Sequence, residues 1–309
     1  MDEGHVLVIG SAGIDIKGRP NGEIVWEQSN VGVVRNAVGG VARNIAENLA
    51  RLEVPTILLT AVGQDAPGSR VIRSCTKAGI NTQHIQRIKG ARTGSYVALQ
   101  YPDGQLQVAI SDFEITQYVD SDYVLEHEDL FKEALMIVID ATLSDDTLAT
   151  IYELAAHYDV RVAVDPTSPT LAGKLCQYLP QTYLIVPNAS EITSICDIDY
   201  ADDRESAIVA ARTLVHMGAE IAVVTMGAAG LAYADSSGTG YLRAIQTKVI
   251  DATGAGDAFS GAAIFGLLNG VPVDEAMRLG ITAASLTLQS RQTVLTHLNQ
   301  ELLYEKLMA

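Results

Sequence analysis

The sequence predicts an α/β protein, with a mainly parallel central sheet joined by helical crossovers and a smaller, separate β-sheet. Short apolar runs alternate with amphipathic helical stretches along most of the chain, as strand-helix-strand crossover units do. Two segments, Lys17–Asn36 and Thr93–Ser111, break that rhythm with short β-rich alternation, and the stretch from Gly256 to about Gln289 reads as mostly helical.

The elements follow in order. Val6-Leu7-Val8-Ile9-Gly10 is a continuous apolar run closed by glycine, the mark of a strand buried on both faces. Val41 to Leu52 has good helix formers and puts Ile45, Leu49 and Leu52 on one face. Thr56–Val62 reads as a second buried strand, followed by a helix near Gly68–Lys77. Strands at Met136–Asp140 and Val162–Asp165 flank a helix near Asp146–His157. Tyr183–Val186 and Ile221–Met226 are further strands, with a helix over Glu205–Met217 between them. In the second β-rich segment, Pro102-Asp103-Gly104 is a turn signal. Inserted β pieces of this kind commonly cover a site. No internal repeat or low-complexity linker interrupts the chain.

Composition narrows the function classes. A chain of 309 residues that is 48% hydrophobic supports a substantial core. Its 21 Lys and Arg against 37 Asp and Glu give a net charge of −16, a mean field that repels nucleic acid and anionic membranes. An anionic substrate must then be held locally, by backbone amides, a helix N-terminus or a metal ion. Cys75, Cys176 and Cys196 are odd in number and widely spaced, so buried, reduced thiols are expected rather than disulfides or a zinc site. Met1-Asp2-Glu3-Gly4-His5 lacks the basic start of a signal peptide, and no apolar run approaches the ~20 residues of a membrane span. A soluble, cytoplasmic protein is expected.

The sharpest chemical signal is Asp251-Ala252-Thr253-Gly254-Ala255-Gly256-Asp257, which opens a helix of small residues. Gly254 and Gly256 allow tight turning, and the free N–H groups of the helix start form an anion hole. A carboxylate at Asp257 would repel an anion there unless it has work to do, such as taking a proton from an attacking hydroxyl; its plain alternative is to stabilise the first helical turn. A second signal is Gly39-Gly40-Val41-Ala42-Arg43-Asn44, with Asp15 just past the first strand. The diglycine lets a ligand approach the backbone, and Asn44 and Asp15 suit sugar hydroxyls. Other motifs fit poorly. Gly173-Lys174 is followed by Leu175, unlike a Walker loop, and Phe259 stands where a dinucleotide fingerprint needs a third glycine. His127-Glu128 lacks the second histidine of a zinc protease, and no Gly-x-Ser-x-Gly elbow occurs.

Taken in order, Gly39 to Asn44, Pro187-Asn188-Ala189-Ser190-Glu191, Thr225-Met226-Gly227-Ala228-Ala229-Gly230 and Asp251 to Asp257 resemble the ribokinase or PfkB family of carbohydrate kinases over nearly the whole chain. Within the family the resemblance is to the branch acting on pseudouridine, through GGVARNIAENLARL at 39–52, Val108-Ala109-Ile110-Ser111-Asp112 and Val164-Asp165-Pro166-Thr167-Ser168. Ser111 departs from that pattern, which has Asn before the aspartate.

The resemblance implies a ribokinase-like three-layer α/β/α core (1–16, 37–92 and 118–309) with a β-sheet lid (17–36 and 93–117) that closes over the sugar and forms a homodimer contact. It implies ATP and magnesium, with Asp257 as catalytic base and the amides of Gly254, Ala255 and Gly256 as the hole for the transferring phosphoryl group. Asp15, Gly39, Gly40 and Asn44 match sugar-binding positions, and Asp112 is the candidate that reads the base. Thr225, Gly227 and Gly230 match the nucleotide-binding turn. Asn188 and Glu191 match an Asn-x-x-Glu that positions magnesium through water, although the same pair can form a helix capping box. Asp251 and Thr253 correspond to positions lining a monovalent-cation site, so potassium is a further expectation. The expected activity is phosphorylation of the 5′-hydroxyl of pseudouridine. Against it stand a kinase of another nucleoside or sugar, such as ribose, fructose or adenosine, and a non-catalytic sensor of the same fold, which would not need Asp257.

Overall fold

In a computed structural model, the structure describes residues 4–102, 106–196, 200 and 203–308. Met1–Glu3 and two residues of the expected turn, Asp103 and Gly104, lie outside them, as does the side chain of Cys196. The strands are β1 (His5–Ile9), β2 (Gly13–Pro20), β3 (Gly32–Gly39), β4 (Thr56–Gly63), β5 (Ile85–Ile88), β6 (Gly94–Gln100), β7 (Leu106–Asp112), β8 (Ala134–Asp140), β9 (Val162–Asp165), β10 (Leu184–Ile185), β11 (Ile221–Thr225), β12 (Leu231–Asp235) and β13 (Gly238–Leu242). The helices are α1 (Val41–Arg51), α2 (Ala66–Ala78), α3 (Ser121–Glu126), α4 (Asp129–Lys132), α5 (Asp145–His157), α6 (Pro169–Ala172), α7 (Ala189–Cys196), α8 (Arg204–His216), α9 (Ala255–Leu268), α10 (Val273–Leu288) and α11 (Gln300–Leu307).

Nine strands form the central sheet in the order β13-β12-β11-β10-β9-β8-β1-β4-β5. It is parallel from β11 to β5 and ends in the antiparallel hairpin β12-β13. Alternation along the strands splits the core in two. Leu7, Ile9, Ile137 and Ile139 pack on α3, α5 and α8, whereas Val6, Val8, Met136 and Val138 pack on α1, α2, α9 and α10. The result is a three-layer α/β/α body. Among the described residues, no helix is long and apolar enough to cross a membrane.

Most expected elements stand within a residue or two, and the differences have local causes. The helix expected from Gly68 begins at Ala66, because Asp65 caps it by accepting from Gly68 N at 2.7 Å. The C-terminal helical stretch is two helices, parted at Gly270, whose φ is +71°, and Pro272. The thiols divide: Cys75 is buried under α1, but Cys176 is exposed, because 173–181 is a surface 3-10 segment that turns it outward.

The second sheet has the order β3-β2-β6-β7, antiparallel except for the β2/β6 pair. Its first two strands span Gly13–Gly39, so Asp15 lies inside this sheet rather than just past the body strand before it. Paired residues share a face. One face carries the row Asp15, Ala37, Tyr96 and Ser111 and the row Lys17, Arg35, Ala98 and Ala109. The other carries Ile16, Val97 and Ile110, then Val34, Leu99 and Val108. On this second face Val34 and Ile110 are 72% and 69% exposed.

Strand order reverses at β1, which has β4 on one side and β8 on the other. Ligand crevices of open α/β sheets form outside the carboxyl ends of the strands at such a point. Here the fully buried Asp140, ending β8, accepts from Ser11 N at 2.8 Å, Ser11 Oγ, Ala42 N at 3.1 Å and Thr142 N at 3.0 Å. It thereby ties the end of β1 to the start of α1. Asp140→Ala leaves these buried donors unsatisfied, at about 1–3 kcal/mol each, and should lower the stability of unfolding by about 3 kcal/mol or more. Urea titration of the variant against wild type checks this; an unchanged midpoint would show that the junction holds without the carboxylate.

Candidate active site

Two helix N-termini meet at the switch point. Helix α9 carries small residues on the side toward α1, and a Cβ at Gly261 would come within 2.6 Å of Asn48 Cβ, so the two helices approach closely only with glycine there. One turn earlier on each helix, this contact brings Asn44 to Asp257: Asn44 Nδ2 donates to Asp257 Oδ2 at 2.7 Å. The carboxamide has a fixed orientation, because Arg43 Nη1 donates to Asn44 Oδ1 at 2.7 Å and leaves the amide nitrogen to face Asp257. Arg43 is itself buried, bridged to Glu47, which also holds Arg51.

Asp257 sits in the first turn of α9. The N-cap, Gly254, has φ +80° and provides no side-chain acceptor, so the first amides of the helix have no side-chain cap. A Cβ at Gly254 would lie 2.0 Å from Thr293 O, which seats the Asp251–Gly256 loop against the 293 segment. At Gly256 there is open space around the backbone. Burial, with smaller contributions from the nearby Asp15 and Asp140, pushes the Asp257 carboxyl up to about 7 against the opposing Asn44 hydrogen bond and Arg43.

The small sheet contributes Asp15, which is buried; burial holds its carboxyl above the ordinary range, with Lys17 and Arg43 opposing. Gly39 lies opposite Gly13, and a Cβ there would fall 2.1 Å from Asp15 Oδ1. Gly40, at φ +97°, caps α1 and could not hold a Cβ beside Ala12 and Ser11. Thus Asp15, Gly39, Gly40, Asn44 and Asp257 come together. Asp112 does not join them. It lies on the face opposite Asp15, half exposed, with Arg92 Nη2 at 3.5 Å, because strand alternation turns its neighbour Ser111 toward the Asp15 row instead. Tyr96 shares that row, and burial together with Asp15 raises its hydroxyl's pKa.

Asp251 is engaged on both oxygens: Oδ2 accepts from Lys17 Nζ at 2.8 Å and Oδ1 from Thr253 N at 2.9 Å. Burial alone would raise this carboxyl, but the two donors hold it below its ordinary value. A cavity of about 1510 Å³ opens beside this pair, shared with Asp15 and rimmed by Arg19, Arg35, Arg70, Arg73 and Arg291. In a chain of net charge −16, it concentrates positive potential beside the small sheet.

On the other flank, Asn188 and Glu191 form the capping box of α7: Glu191 Oε2 accepts from Asn188 N at 2.9 Å and Asn188 Oδ1 from Glu191 N at 3.1 Å. Glu191 is buried, which raises its carboxyl. Asn188 bridges to Thr225 at the end of β11, and Gly227 and Gly230, at φ +54° and +110°, turn the chain from there into β12. Gly230 has a structural reason, since a Cβ there would lie 2.0 Å from Leu242 O of the edge hairpin. Asp165, ending β9, lies between the two flanks; burial drives its carboxyl well up, and Asp257 and Glu191 add to this. Its Oδ1 accepts at 2.8 Å from the amide of Thr167, a β-branched residue strained at φ +66°. Among the described residues, no three His, Cys, Asp or Glu side chains converge as a metal-binding group.

Asp140, Asp165, Arg43, Tyr96 and Ser111 were not singled out as site residues in the sequence. A signal existed for the first two: each is an acidic residue closing an apolar parallel strand, where such sheets open their crevice. Arg43 is one residue from Asn44 in the diglycine helix, and only the packing shows which way it turns.

A three-layer body, a small sheet beside its switch point, and a carboxyl at an open helix N-terminus define the sugar and nucleoside phosphotransferases of this architecture. The chain belongs to the pfkB family of carbohydrate kinases, whose family model matches residues 3–299. It is a phosphotransferase acting on a sugar or nucleoside hydroxyl. It is 33% identical over 293 residues to a pseudouridine kinase of Escherichia coli strain K12, covering 94% of this chain and 93% of that one. It is 27% identical over 297 residues to a guanosine-inosine kinase of Exiguobacterium acetylicum, covering 93% and 95%. In fold it is similar to an Arabidopsis thaliana ribokinase complexed with ribose and ATP, at a TM-score of 0.85 and 20% identity over 99% of each chain.

The electrostatics yield a stability test. Because the Asp257 pKa is raised from 3.8 to about 7 on folding, this group's contribution is fully present below its unfolded value and is lost as pH rises through about 7. Asp257→Asn, which cannot ionise, should gain in melting temperature relative to wild type as the pH rises from roughly 4 to roughly 8. A difference that stays flat across that range would mean that the carboxyl is not desolvated.

Proposed function

We propose that the protein transfers the γ-phosphate of ATP to the 5′-hydroxyl of pseudouridine, giving pseudouridine 5′-phosphate and ADP. The observation that carries the chemistry is Asp257, a carboxyl poised at about 7 by burial, held by Asn44 and placed in the first turn of α9, whose N-terminus has no side-chain cap. Asp257 takes the proton of the hydroxyl as its oxygen bonds to the γ-phosphorus, and the bond from that phosphorus to the ADP oxygen breaks. The amides of Gly254, Ala255 and Gly256 receive the charge on the transferring group, a task for which an open helix N-terminus is preorganised. Asp15 and Asn44 hold ribose hydroxyls, and Gly39 and Gly40 let the sugar lie close to the backbone. Thr225, Gly227 and Gly230 form the turn against which the nucleotide rests.

Magnesium fits this site on charge grounds. Burial raises the carboxyls of Asp165, Glu191 and Asp257, and Asp257 and Glu191 raise Asp165 further, an excess of negative potential that a cation relieves. Glu191, with Asn188 fixing it, and Asp165 are the residues that would hold the ion, through water or beside the phosphates, given that no three-carboxylate cluster exists among the described residues. When bound, the ion neutralises phosphate oxygens.

Pseudouridine is supported by the 33% likeness over nearly all of the chain. The four-stranded sheet is read as the lid over the sugar and base. The base then meets Tyr96 and Ser111, which share the Asp15 face, rather than Asp112. The outer face, with Val34, Val97, Val108 and Ile110 exposed, is read as the homodimer contact.

ADP release with pseudouridine, uridine, adenosine, ribose and fructose, measured side by side, tests the reading: pseudouridine should give the highest kcat/KM, rising with pH to a plateau above about 7 as Asp257 loses its proton. Asp257→Asn should keep ATP binding and lose about 10²- to 10⁴-fold in kcat. A higher kcat/KM with another acceptor would move the substrate assignment, and an undiminished kcat would remove Asp257 as base. For the lid contact, Ile110→Asp should convert a dimer into a monomer in analytical ultracentrifugation; a wild-type monomer at micromolar concentration would sink the dimer reading.

A further inference from the structure

The ion pair between Lys17 and Asp251 joins two parts of the molecule 234 residues apart. Lys17 stands on β2 of the small sheet, two residues from Asp15 and on the same face. Asp251 opens the loop that leads through Thr253 to Gly254 and the start of α9. Both side chains are largely enclosed, at 11% and 19% exposure, and the Nζ to Oδ2 distance is 2.8 Å. The other oxygen, Oδ1, holds the Thr253 amide, so one carboxylate grips the lid strand and the phosphate-binding loop together.

The resemblance implies a monovalent cation at Asp251 and Thr253, and the residues present do not fit one. The charge of Asp251 is already matched by an ammonium in contact, and a second cation placed at the same carboxylate would meet Lys17 at contact distance, where like charges repel. Lysine ammonium is a compact, singly charged group with three donors, the organic counterpart of such an ion. Unlike a free ion, it is tethered to the sheet that carries Asp15.

We propose that Lys17 is the built-in cation of the phosphate-binding loop, a positioning residue that neutralises Asp251, sets the Asp251–Gly256 backbone and makes the enzyme independent of monovalent metal ions. This rests on the phosphotransfer reading of the site. Because the ammonium arrives on β2, the loop is fully held only when the lid strand is seated, which couples sugar binding to assembly of the anion hole.

The test compares potassium, sodium and choline chloride at matched ionic strength, with two readouts: melting temperature of the protein alone and the rate of ADP release with magnesium and the best acceptor. Wild type should show the same melting temperature and the same rate in all three salts. Lys17→Met should lose roughly a hundredfold in kcat, the order expected when a catalytic frame is displaced by about an ångström, with a smaller change in nucleoside KM. In that variant the bare Asp251 pocket should admit an ion, so potassium should raise both its melting temperature and its rate over choline. Asp251→Asn should lose activity without recovery by any cation. Potassium-specific activation or stabilisation of wild type would overturn the proposal, as would a Lys17→Met enzyme with wild-type kcat. If Lys17→Met fails to fold, the wild-type salt comparison decides alone. If wild type phosphorylates nothing, the phosphotransfer reading fails, while the melting temperatures still report whether the pocket takes an ion.

Discussion

The structure hangs on a carboxylate that must be satisfied out of water. Asp140 ends β8 with no exposure, and a buried acceptor of this kind is tolerable only with donors aimed at it. Those donors come from the turn after β1, from the first turn of α1 and from the residue that follows β8 closely. Satisfying one group therefore fixes where α1 begins, and with it the position of Gly40 and Asn44 over the strand ends. The reversal of strand order opens the crevice; the hydrogen bonds of Asp140 determine what stands at its edge.

From that anchor the site is assembled by close approach. Helix α9 can lie on α1 because Gly261 has no side chain, and the contact aims Asn44 at Asp257. Arg43, buried and paired, fixes which end of the carboxamide points to the carboxyl. The consequence is electrostatic: desolvation lifts Asp257 toward neutrality, a value suited to accepting a proton near physiological pH, while Asn44 prevents it from rising further.

Charge in this protein is organised by position rather than by total. The net of −16 says nothing about the cleft, where acidic groups crowd on the strand-end side and basic groups gather beside the small sheet. Lys17 and Asp251 sit on the border between the two, and their pairing joins β2 of the small sheet to the loop before α9. Separation of this kind allows an acidic chain to handle anions without a basic surface.

The body of the fold was legible in the sequence because buried parallel strands must be continuously apolar and their crossover helices must show one apolar face. Val6–Ile9 and the face of Ile45, Leu49 and Leu52 are such patterns. The motif around Gly254 and Asp257 was legible for a similar reason, since a tight turn into a helix restricts residue type. The short edge hairpin Leu231–Leu242 and the helices near 121–132 and 300–307 left weaker local traces, and their places come from packing. The sequence by itself marked Asp15, Asn44, Asp257, Asn188 and Glu191 as the polar residues of the site. Tertiary structure alone decided their partners. It placed Asp15 within the small sheet, turned Ser111 rather than Asp112 toward it, aimed Asn44 at Asp257, and brought Lys17 to Asp251. The physical reason is that these partners lie far apart in the chain, so the pairing register and helix contact that join them depend on both segments at once and cannot be read from either alone.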